Sequence, residues 1–453
     1  MKFYSYYRIS KPSEAKVAPE LVQEEYRRLR SRTFWGVCAA YSQYYVCRMA
    51  LSVVKQPLID SGTLSAAQLG LVGSAMLFAY AFGKFVNGFI ADYCNIRRFM
   101  TTGLIVSALV NLLMGALGIV QGHTGLPTMA LFIAFALLWG VNGWTQSMGA
   151  PPAVISLSRW FPLSRRGTFY SILCATPYLG KFLSFIVTGF VVASLGWQYG
   201  FLFSAVGGLL GVAILLVFVS DTPESKGLPS VQDLSGEEAL PTDSMPTFTL
   251  QRWVLRHPGI WIIALSSAFV YIAQYAVSGW GVLFLQKAKG FSLESSSQII
   301  AISEALGIAG TVLAGWLSDT VFKGRRAAPV LLAGLLCLAS LSAFLLLGGG
   351  YAANIAFVAV FSISIGVVYC IVSGLMALDI VPRKATGAAL GLVGISSYVA
   401  AGIQDAVSGW LIGGGAATGT AATYDFGGVT VFWLASCLLS FVIPVAAWRR
   451  LKP

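Results

Sequence analysis

Apolar stretches long enough to cross a bilayer recur along this chain from residue 33 to residue 448. A helix needs about 20 apolar residues to span the hydrocarbon core of a membrane. Only 11% of the 453 residues are charged, whereas a soluble chain carries about 25%. The apolar runs show no two-residue alternation, which argues for helices and against an outer-membrane β-barrel. The sequence therefore predicts an all-α polytopic membrane protein.

Breaks rich in polar and turn-forming residues divide the apolar sequence into twelve predicted transmembrane helices. They lie near residues 33–54, 66–91, 99–121, 128–152, 168–192, 197–219, 259–284, 295–317, 328–347, 353–378, 386–412 and 428–448. The stretch after the sixth helix is rich in Pro, Ser, Thr and acidic residues and predicts a flexible loop between two six-helix bundles. The predicted order is an N-terminal segment, the first bundle, the loop, the second bundle and a C-terminal tail, at residues 1–32, 33–219, 220–258, 259–448 and 449–453.

The basic residues predict how the chain is oriented in the membrane. With the N-terminus in the cytoplasm, 24 of the 30 Lys and Arg residues fall on cytoplasmic segments, as the positive-inside rule requires. Both termini and the loop between the bundles are therefore predicted to be cytoplasmic. The net charge of +12 follows from this topology and does not indicate a nucleic-acid partner. The predicted location is the cytoplasmic (inner) membrane, where the chain contacts lipid as a multi-pass monomer.

One short motif occurs twice, once in each half of the chain. The segment GFIADYCNIRRF follows the second predicted helix, and GWLSDTVFKGRR follows the eighth. Their aspartates, Asp92 and Asp319, are 227 residues apart, which is close to half the chain length. A repeat of this period predicts two homologous bundles with a binding site at their interface. Asp92 and Asp319, with Arg97 and Arg325, are predicted to form gating loops on one side of the membrane.

These features resemble the major facilitator superfamily, whose loop motif the two segments match. Further stretches are similar to one branch, the organophosphate:phosphate antiporters, notably YYVCR in the first helix, AYAFGKFVNGFIADYCNIRRFM in the second and LDIVPRKATGAALGLVGISSYVAAG entering the eleventh. The resemblance implies two pseudo-symmetric bundles that work by alternating access and exchange a phosphorylated metabolite for inorganic phosphate. It also implies a phosphate clamp of two arginines. Arg48 occupies the first position, while Gln274 stands at the second and Pro177 replaces a substrate-site histidine.

Charged residues inside the predicted helices favour binding of an anion. The cations are Arg48, Lys84 and Lys181, with Lys55 at an outer helix edge as a candidate fourth, and the acids are Glu304 and Asp405. A positive surplus in a low-dielectric interior attracts an anion, and an arginine binds a phosphate or carboxylate with two parallel hydrogen bonds. Arg48 is therefore predicted to be the principal anion ligand, with Lys84 and Lys181 shaping the positive field.

Two roles remain open for Lys181. It lies four residues after Pro177, on the same helical face, where it is placed to supply the positive charge that Gln274 does not. Alternatively, it pairs with Glu304 or Asp405 inside the protein. These two acids are in turn assigned either to a structural pair or to coupling.

Three tyrosines are candidate substrate contacts. Tyr41 and Tyr45 lie seven and three residues before Arg48, so all three share one helical face. Tyr271 stands in the same three-residue relation to Gln274. Hydroxyl groups in these positions are placed to donate hydrogen bonds to a bound anion, although a tyrosine stripe of this kind also occurs as plain packing.

The favoured hypothesis is secondary transport of a small phosphorylated anion in exchange for inorganic phosphate. One alternative is transport of a non-phosphorylated anion such as a carboxylate, driven by protons through Glu304 or Asp405. A second alternative is a sensor of sugar phosphate with the same fold. The sequence contains no catalytic constellation, no nucleotide-binding Gly-rich motif and no metal-like cysteine spacing, so neither an enzyme nor a cofactor is predicted.

Overall fold

The computed structural model describes residues 6–91, 94–124, 127–235, 253–317, 321–322, 326–380, 386–413 and 424–451. This part of the chain is helical and contains no β-strand; an isolated bridge pairs Arg8 with Cys94. The described residues form twelve long helical segments. Ten of them are long and apolar enough to span a membrane by length and composition. The prediction of an all-α polytopic fold is confirmed.

The first bundle contains six of these segments, two of which are built from consecutive helical pieces. They are α1 (Val22–Asp60), α2 (Ala66–Ala91), α3 (Ile96–Thr124), α4 (Thr128–Gln146 and Ala150–Trp160), α5 (Leu163–Leu183, Ser184–Thr188 and Gly189–Leu195) and α6 (Trp197–Phe218).

The second bundle contains the other six segments. They are α7 (Pro258–Lys289), α8 (Leu293–Trp316), α9 (Ala327–Leu346), α10 (Tyr351–Cys370, Ile371–Leu375 and Met376–Ile380), α11 (Thr386–Ile412) and α12 (Gly427–Leu451). Short connections between neighbours make successive helices antiparallel.

Helix α1 begins well before the predicted membrane boundary. It starts at Val22 instead of residue 33 and is 39 residues long. The added turns contain Glu24, Glu25 and several arginines, which are good helix formers although they are not apolar. Acidic side chains in the first turn also interact favourably with the positive end of the helix dipole. The apolar pattern located the part of α1 that suits the membrane and missed the turns outside it.

The two ends of the molecule are distinguished by their contacts. We call the end that holds Asp60, the last residue of α1, the distal face. There the Asp60 carboxylate accepts hydrogen bonds of 2.6 Å from Lys287 Nζ in the second bundle and from the Tyr424 hydroxyl. Burial and the Asp60 carboxylate raise the pKa of the Tyr424 phenol, so it remains a donor at neutral pH. We call the opposite end, which holds the start of α1, the terminal face.

Residues after the sixth helix fold back onto the first bundle at the terminal face. The buried Asp221 carboxylate pairs with Arg159 at 2.7 Å and accepts hydrogen bonds from the backbone N–H groups of Ser10 and Ile96. Val231 is buried against apolar side chains of the first bundle. The loop predicted to be flexible from residue 220 is therefore docked as far as residue 235, where this described range ends.

Small residues bring the two bundles together where α2 meets α11 near the distal face. A Cβ added to Gly70 would lie 2.5 Å from the backbone oxygen of Asp405 and 2.9 Å from the Cα of Gly409. A Cβ added to Gly73 would clash with the Asp405 carboxylate. Residues of this kind let membrane helices approach until their backbones touch. The contact joins the bundles at the distal side.

Replacing Gly70 with alanine is expected to separate α2 from α11, because the crowded neighbours are backbone atoms that cannot move aside alone. We expect a loss of stability of about 1–3 kcal/mol, read as a lower midpoint of thermal unfolding in detergent. Gly140→Ala in α4 is the matched control, since its added Cβ meets only the Ala75 oxygen, at 3.9 Å. Equal midpoints for the two variants would contradict the close approach.

Candidate functional site

Arg48 lies in the interior of α1, where tyrosine rings surround its guanidinium. Only 4% of the residue surface is exposed. The guanidinium carbon lies 4.1 Å from the centroid of the Tyr80 ring, 5.3 Å from that of Tyr45 and 5.8 Å from that of Tyr398. The negative face of an aromatic ring attracts a cation, and each such contact is worth about 0.5–2 kcal/mol. The rings therefore stabilise the positive charge without neutralising it.

Two of the Arg48 nitrogens, Nε and Nη2, are buried and have no hydrogen-bond partner. None of the ion pairs in the described ranges includes Arg48. An unsatisfied buried donor costs about 1–3 kcal/mol, and more when it is charged. Nε and Nη2 form one edge of the guanidinium, and a carboxylate or phosphate accepts from such an edge with two parallel hydrogen bonds. This edge of Arg48 is suited to bind an anion.

Lys84 on α2 brings a second cation to the same group of rings. Its Nζ lies 5.0 Å from the centroid of Tyr398, a residue of α11 in the second bundle. Lys84 is half-buried, and no ion pair among the residues described here includes it. The structure thus places Lys84 and Arg48, both from the first bundle, around one tyrosine of the second.

A cavity of about 40 Å³ lies between Arg48 and the distal face. Its walls include Lys55, Tyr275 and Asp405 as well as Arg48 itself. A single water molecule takes up about 30 Å³ of the liquid. The space is therefore too small for an organic phosphate.

Lys181 forms an ion pair that links the two bundles. Its Nζ lies 3.0 Å from Glu304 Oε2 on α8, and both side chains are buried. Helix α5 widens into a π-turn over Ser184–Thr188, directly after Lys181. This geometry is the one expected if Lys181 pairs within the protein, and it gives Glu304 a cationic partner.

A second buried ion pair joins the bundles nearer the distal face. Lys55 Nζ lies 3.0 Å from Asp405 Oδ1, and Trp280 Nε1 donates to the same oxygen at 2.5 Å. Lys55 Nζ also lies 3.4 Å from the centroid of the Trp280 ring. The charge of Asp405 is therefore balanced within the protein. Lys55, the candidate fourth cation at the outer end of its predicted helix, is fully buried because the second bundle covers it.

The predicted tyrosines stand at different distances from Arg48. Tyr45 contacts the guanidinium, whereas the ring centroid of Tyr41 lies 5.7 Å from that of Tyr45. Tyr271 packs edge-on against Tyr398, with their ring centroids 5.2 Å apart. Tyr41 and Tyr271 each pack against a tyrosine that contacts Arg48.

Gln274 lies on α7, at the second position of the arginine clamp that the family resemblance implies. Its side chain is half-buried beside Tyr178, and none of the hydrogen bonds found in the described ranges joins it to Arg48. The next residue, Tyr275, lines the cavity next to Arg48.

Sequence reasoning missed three tyrosines that contact or face Arg48, namely Tyr80, Tyr275 and Tyr398. For Tyr80 and Tyr398, the spacing from a charged residue on the same helix could have indicated this position. Tyr80 lies four residues before Lys84 and Tyr398 lies seven residues before Asp405, so each shares a helical face with a charge inside the membrane.

The predicted gating loops lie mostly outside the part of the chain that the structure describes. This holds for Asp92, Asp319 and Arg325. Arg97 is described and is half-buried in the first turn of α3 at the terminal face.

The chemistry available at this interface is reversible binding of an anion. Arg48 offers an unpaired edge, Lys84 offers an ammonium group, and tyrosine hydroxyls surround both. Over the residues that were searched, no three His, Cys, Asp or Glu side chains lie close enough together to hold a metal ion.

Comparison with known proteins places the chain in a family. Residues 36–404 match the family described as Major Facilitator Superfamily. The chain belongs to the major facilitator superfamily. The glycerol-3-phosphate transporter of Bacillus subtilis (strain 168) is 33% identical over 445 residues, which cover 94% of each chain. The phosphoglycerate transporter protein of Salmonella typhimurium is 31% identical and covers 85% of this chain and 84% of its own. These relatives confirm the resemblance to the organophosphate:phosphate antiporters.

A solved structure shows the same fold at lower identity. It is a bacterial homologue of the human lysosomal transporter Spinster, in an inward-facing and unoccupied conformation, and it aligns with a TM-score of 0.69. The alignment covers 93% of this chain and 94% of that chain at 18% identity. The likeness confirms the predicted major facilitator fold.

Replacing Arg48 with lysine is expected to weaken binding of inorganic phosphate at least about tenfold, because a point charge cannot reproduce two parallel hydrogen bonds. Calorimetric titration of the purified protein with phosphate gives the affinity. Arg32→Lys, on the exposed part of the same helix, is the matched control and is expected to bind as the wild type does. Unchanged affinity in the Arg48 variant would remove it from the site.

Replacing Lys181 with methionine is expected to destabilise the protein by about 3–5 kcal/mol, because Glu304 is left buried without its partner. The double variant Lys181→Met, Glu304→Met should recover most of that loss, measured as the thermal midpoint. It should also bind phosphate with the wild-type affinity if the pair is structural. A double variant that is stable but no longer binds phosphate would assign Lys181 to the substrate instead.

Proposed function

We propose that this protein exchanges a phosphorylated organic metabolite for inorganic phosphate across the membrane. The observation that carries the proposal is the unpaired edge of Arg48, buried at the interface of the bundles with Lys84 nearby. A phosphate monoester carries about 1.5–2 negative charges at neutral pH, which suits two cations that have no acidic partner in the described ranges. The relatives named as transporters of glycerol-3-phosphate and phosphoglycerate support the same substrate class.

The proposed orientation puts the terminal face in the cytoplasm and the distal face outside. Arg97, Arg98 and Arg159 lie at the terminal face, in accord with the positive-inside rule. One chain contains both bundles and the whole site, so a monomer in the cytoplasmic membrane suffices for the proposed function.

In this orientation the structure corresponds to a state that is closed to the outside. Several side-chain hydrogen bonds and ion pairs join the bundles from the depth of the Lys181–Glu304 pair to the distal face. In the proposed orientation these contacts close the outer side of the interface.

Exchange, in place of one-way transport, follows from the charge of the empty site. Without an anion, the guanidinium of Arg48 would have to pass through the closed intermediate with its charge uncompensated and two donors unsatisfied. A bound anion satisfies them and lowers that barrier, so the bundles reorient when the site is loaded. Phosphate and the phosphate ester share the group that satisfies Arg48, and each can serve the return step of the other.

The second charge of the site comes from Lys84, since Gln274 is neutral. A lysine presents a point charge and cannot donate two parallel hydrogen bonds as an arginine does. The site therefore binds the substrate more tightly at Arg48 than at Lys84. A carboxylate has a single pair of oxygens, so one arginine is enough to bind it. Transport of a carboxylate is therefore the alternative that the missing arginine favours.

Exchange in reconstituted vesicles tests the proposal directly. Vesicles preloaded with labelled phosphate are exposed to glycerol-3-phosphate, hexose-6-phosphates, phosphoglycerates and plain carboxylates. At least one phosphate ester is expected to accelerate efflux of the label, and carboxylates are not. Arg48→Gln should reduce exchange to the rate of protein-free vesicles, while Arg32→Gln should exchange at the wild-type rate.

Two results would overturn the proposal. Efflux driven by a carboxylate and by no ester, from protein shown to be folded, would reassign the substrate class. Tight binding of an ester without any exchange would favour a sensor over a transporter.

A further inference from the structure

A groove opens at the distal face of the second bundle, away from Arg48. It has a volume of about 600 Å³ and lies between the ends of α7 and α9 and the start of α12. Its lining side chains are mostly apolar, and Leu346 and Val431 on its rim are 65% and 68% exposed. Apolar side chains exposed on a membrane-spanning bundle face lipid. The groove is therefore open to the bilayer.

A single lysine lies in this apolar groove. Lys289 Nζ donates to Asn354 Oδ1 at 2.5 Å and lies 4.9 Å from the centroid of the Phe344 ring. Asn354 is completely buried, and its amide nitrogen is fixed by the backbone oxygens of Gly349 and Gly350. The ammonium group is thus held in place by a neutral acceptor and an aromatic ring.

The charge of Lys289 is not balanced by an acid among the residues described. The neighbouring Lys287 differs in this respect, because it pairs with Asp60 at 2.6 Å. Asp425, the acidic residue next to the groove wall, accepts a hydrogen bond from the backbone N–H of Gly427 at the start of α12. Of its three donor hydrogens, Lys289 therefore uses one on Asn354 and keeps two for a ligand.

We propose that this groove binds one anionic phospholipid. The lipid phosphate pairs with Lys289, and an acyl chain lies along the apolar wall formed by Leu346, Leu347 and Val431. Two observations select a lipid over a soluble anion: the groove opens to the bilayer, and its lining apart from Lys289 is mostly apolar. The position at the end of α7 suits a headgroup, because the polar cluster of Asp60, Lys287 and Tyr424 marks the same depth.

Native mass spectrometry of the full-length protein, with phosphatidylglycerol as the probe and phosphatidylcholine as the comparison lipid, tests the assignment. The wild type is expected to retain one more phosphatidylglycerol than Lys289→Gln does, with an affinity about tenfold higher at that site. Lys16→Gln, an exposed residue at the terminal face, is the matched control for the loss of one charge and should behave as the wild type does.

A second variant keeps Lys289 and fills the groove. Gly348→Trp introduces a ring at a position where an added Cβ meets no atom within 4 Å, so the fold should tolerate it. It is expected to displace the same phosphatidylglycerol and to preserve phosphate exchange, since the groove is remote from Arg48.

Three results would overturn the assignment. The first is retention of the same number of phosphatidylglycerol molecules, with equal affinity, by the wild type and both variants. The second is equal retention of phosphatidylcholine by the wild type, which would mean that net headgroup charge is not recognised. The third is displacement of the lipid by inorganic phosphate alone, which would identify a site for a soluble anion.

Discussion

A guanidinium inside a membrane protein that has no acidic partner among the described residues is the constraint around which this structure is organised. A charge in such surroundings is expensive, so it persists only where other groups offset part of the cost. Tyr45, Tyr80 and Tyr398 do so through their ring faces, which attract a cation and leave its hydrogen bonds free. A carboxylate in their place would have stabilised Arg48 better and would also have occupied the position of the ligand.

Two other buried cations at the interface between the bundles do have acidic partners. Lys55 and Lys181 each meet an acid of the other bundle, and these pairs hold the bundles together in this conformation. In the proposed function both pairs must separate or change partners when the bundles reorient, so their strength adds to the barrier between conformations. Under this proposal buried charge has two uses: balanced pairs hold the bundles together, and an unbalanced group binds the ligand.

The fold and the place of Arg48 were readable from the sequence, because both follow from local features: the length of apolar runs, the half-chain repeat and a charge inside a helix. The partners of the other charges were not. Whether Lys181 meets Glu304 or a substrate depends on how α5 packs against α8, which no spacing along one helix encodes. The partners of Lys55 were not readable for the same reason, since Trp280 and Asp405 lie in the other half of the chain. The start of α1 was missed because charged residues extend a helix as readily as apolar ones.

Tyr398 affects the strength of the contact between the two bundles. Its ring belongs to one bundle and faces two like charges, Arg48 and Lys84, that belong to the other. Each charge is drawn to the ring and repelled by its neighbour, so the contact is weakest when nothing else is present. An anion between them removes the repulsion and leaves the attraction. Under the proposed function, the bound substrate therefore strengthens the contact between the two bundles.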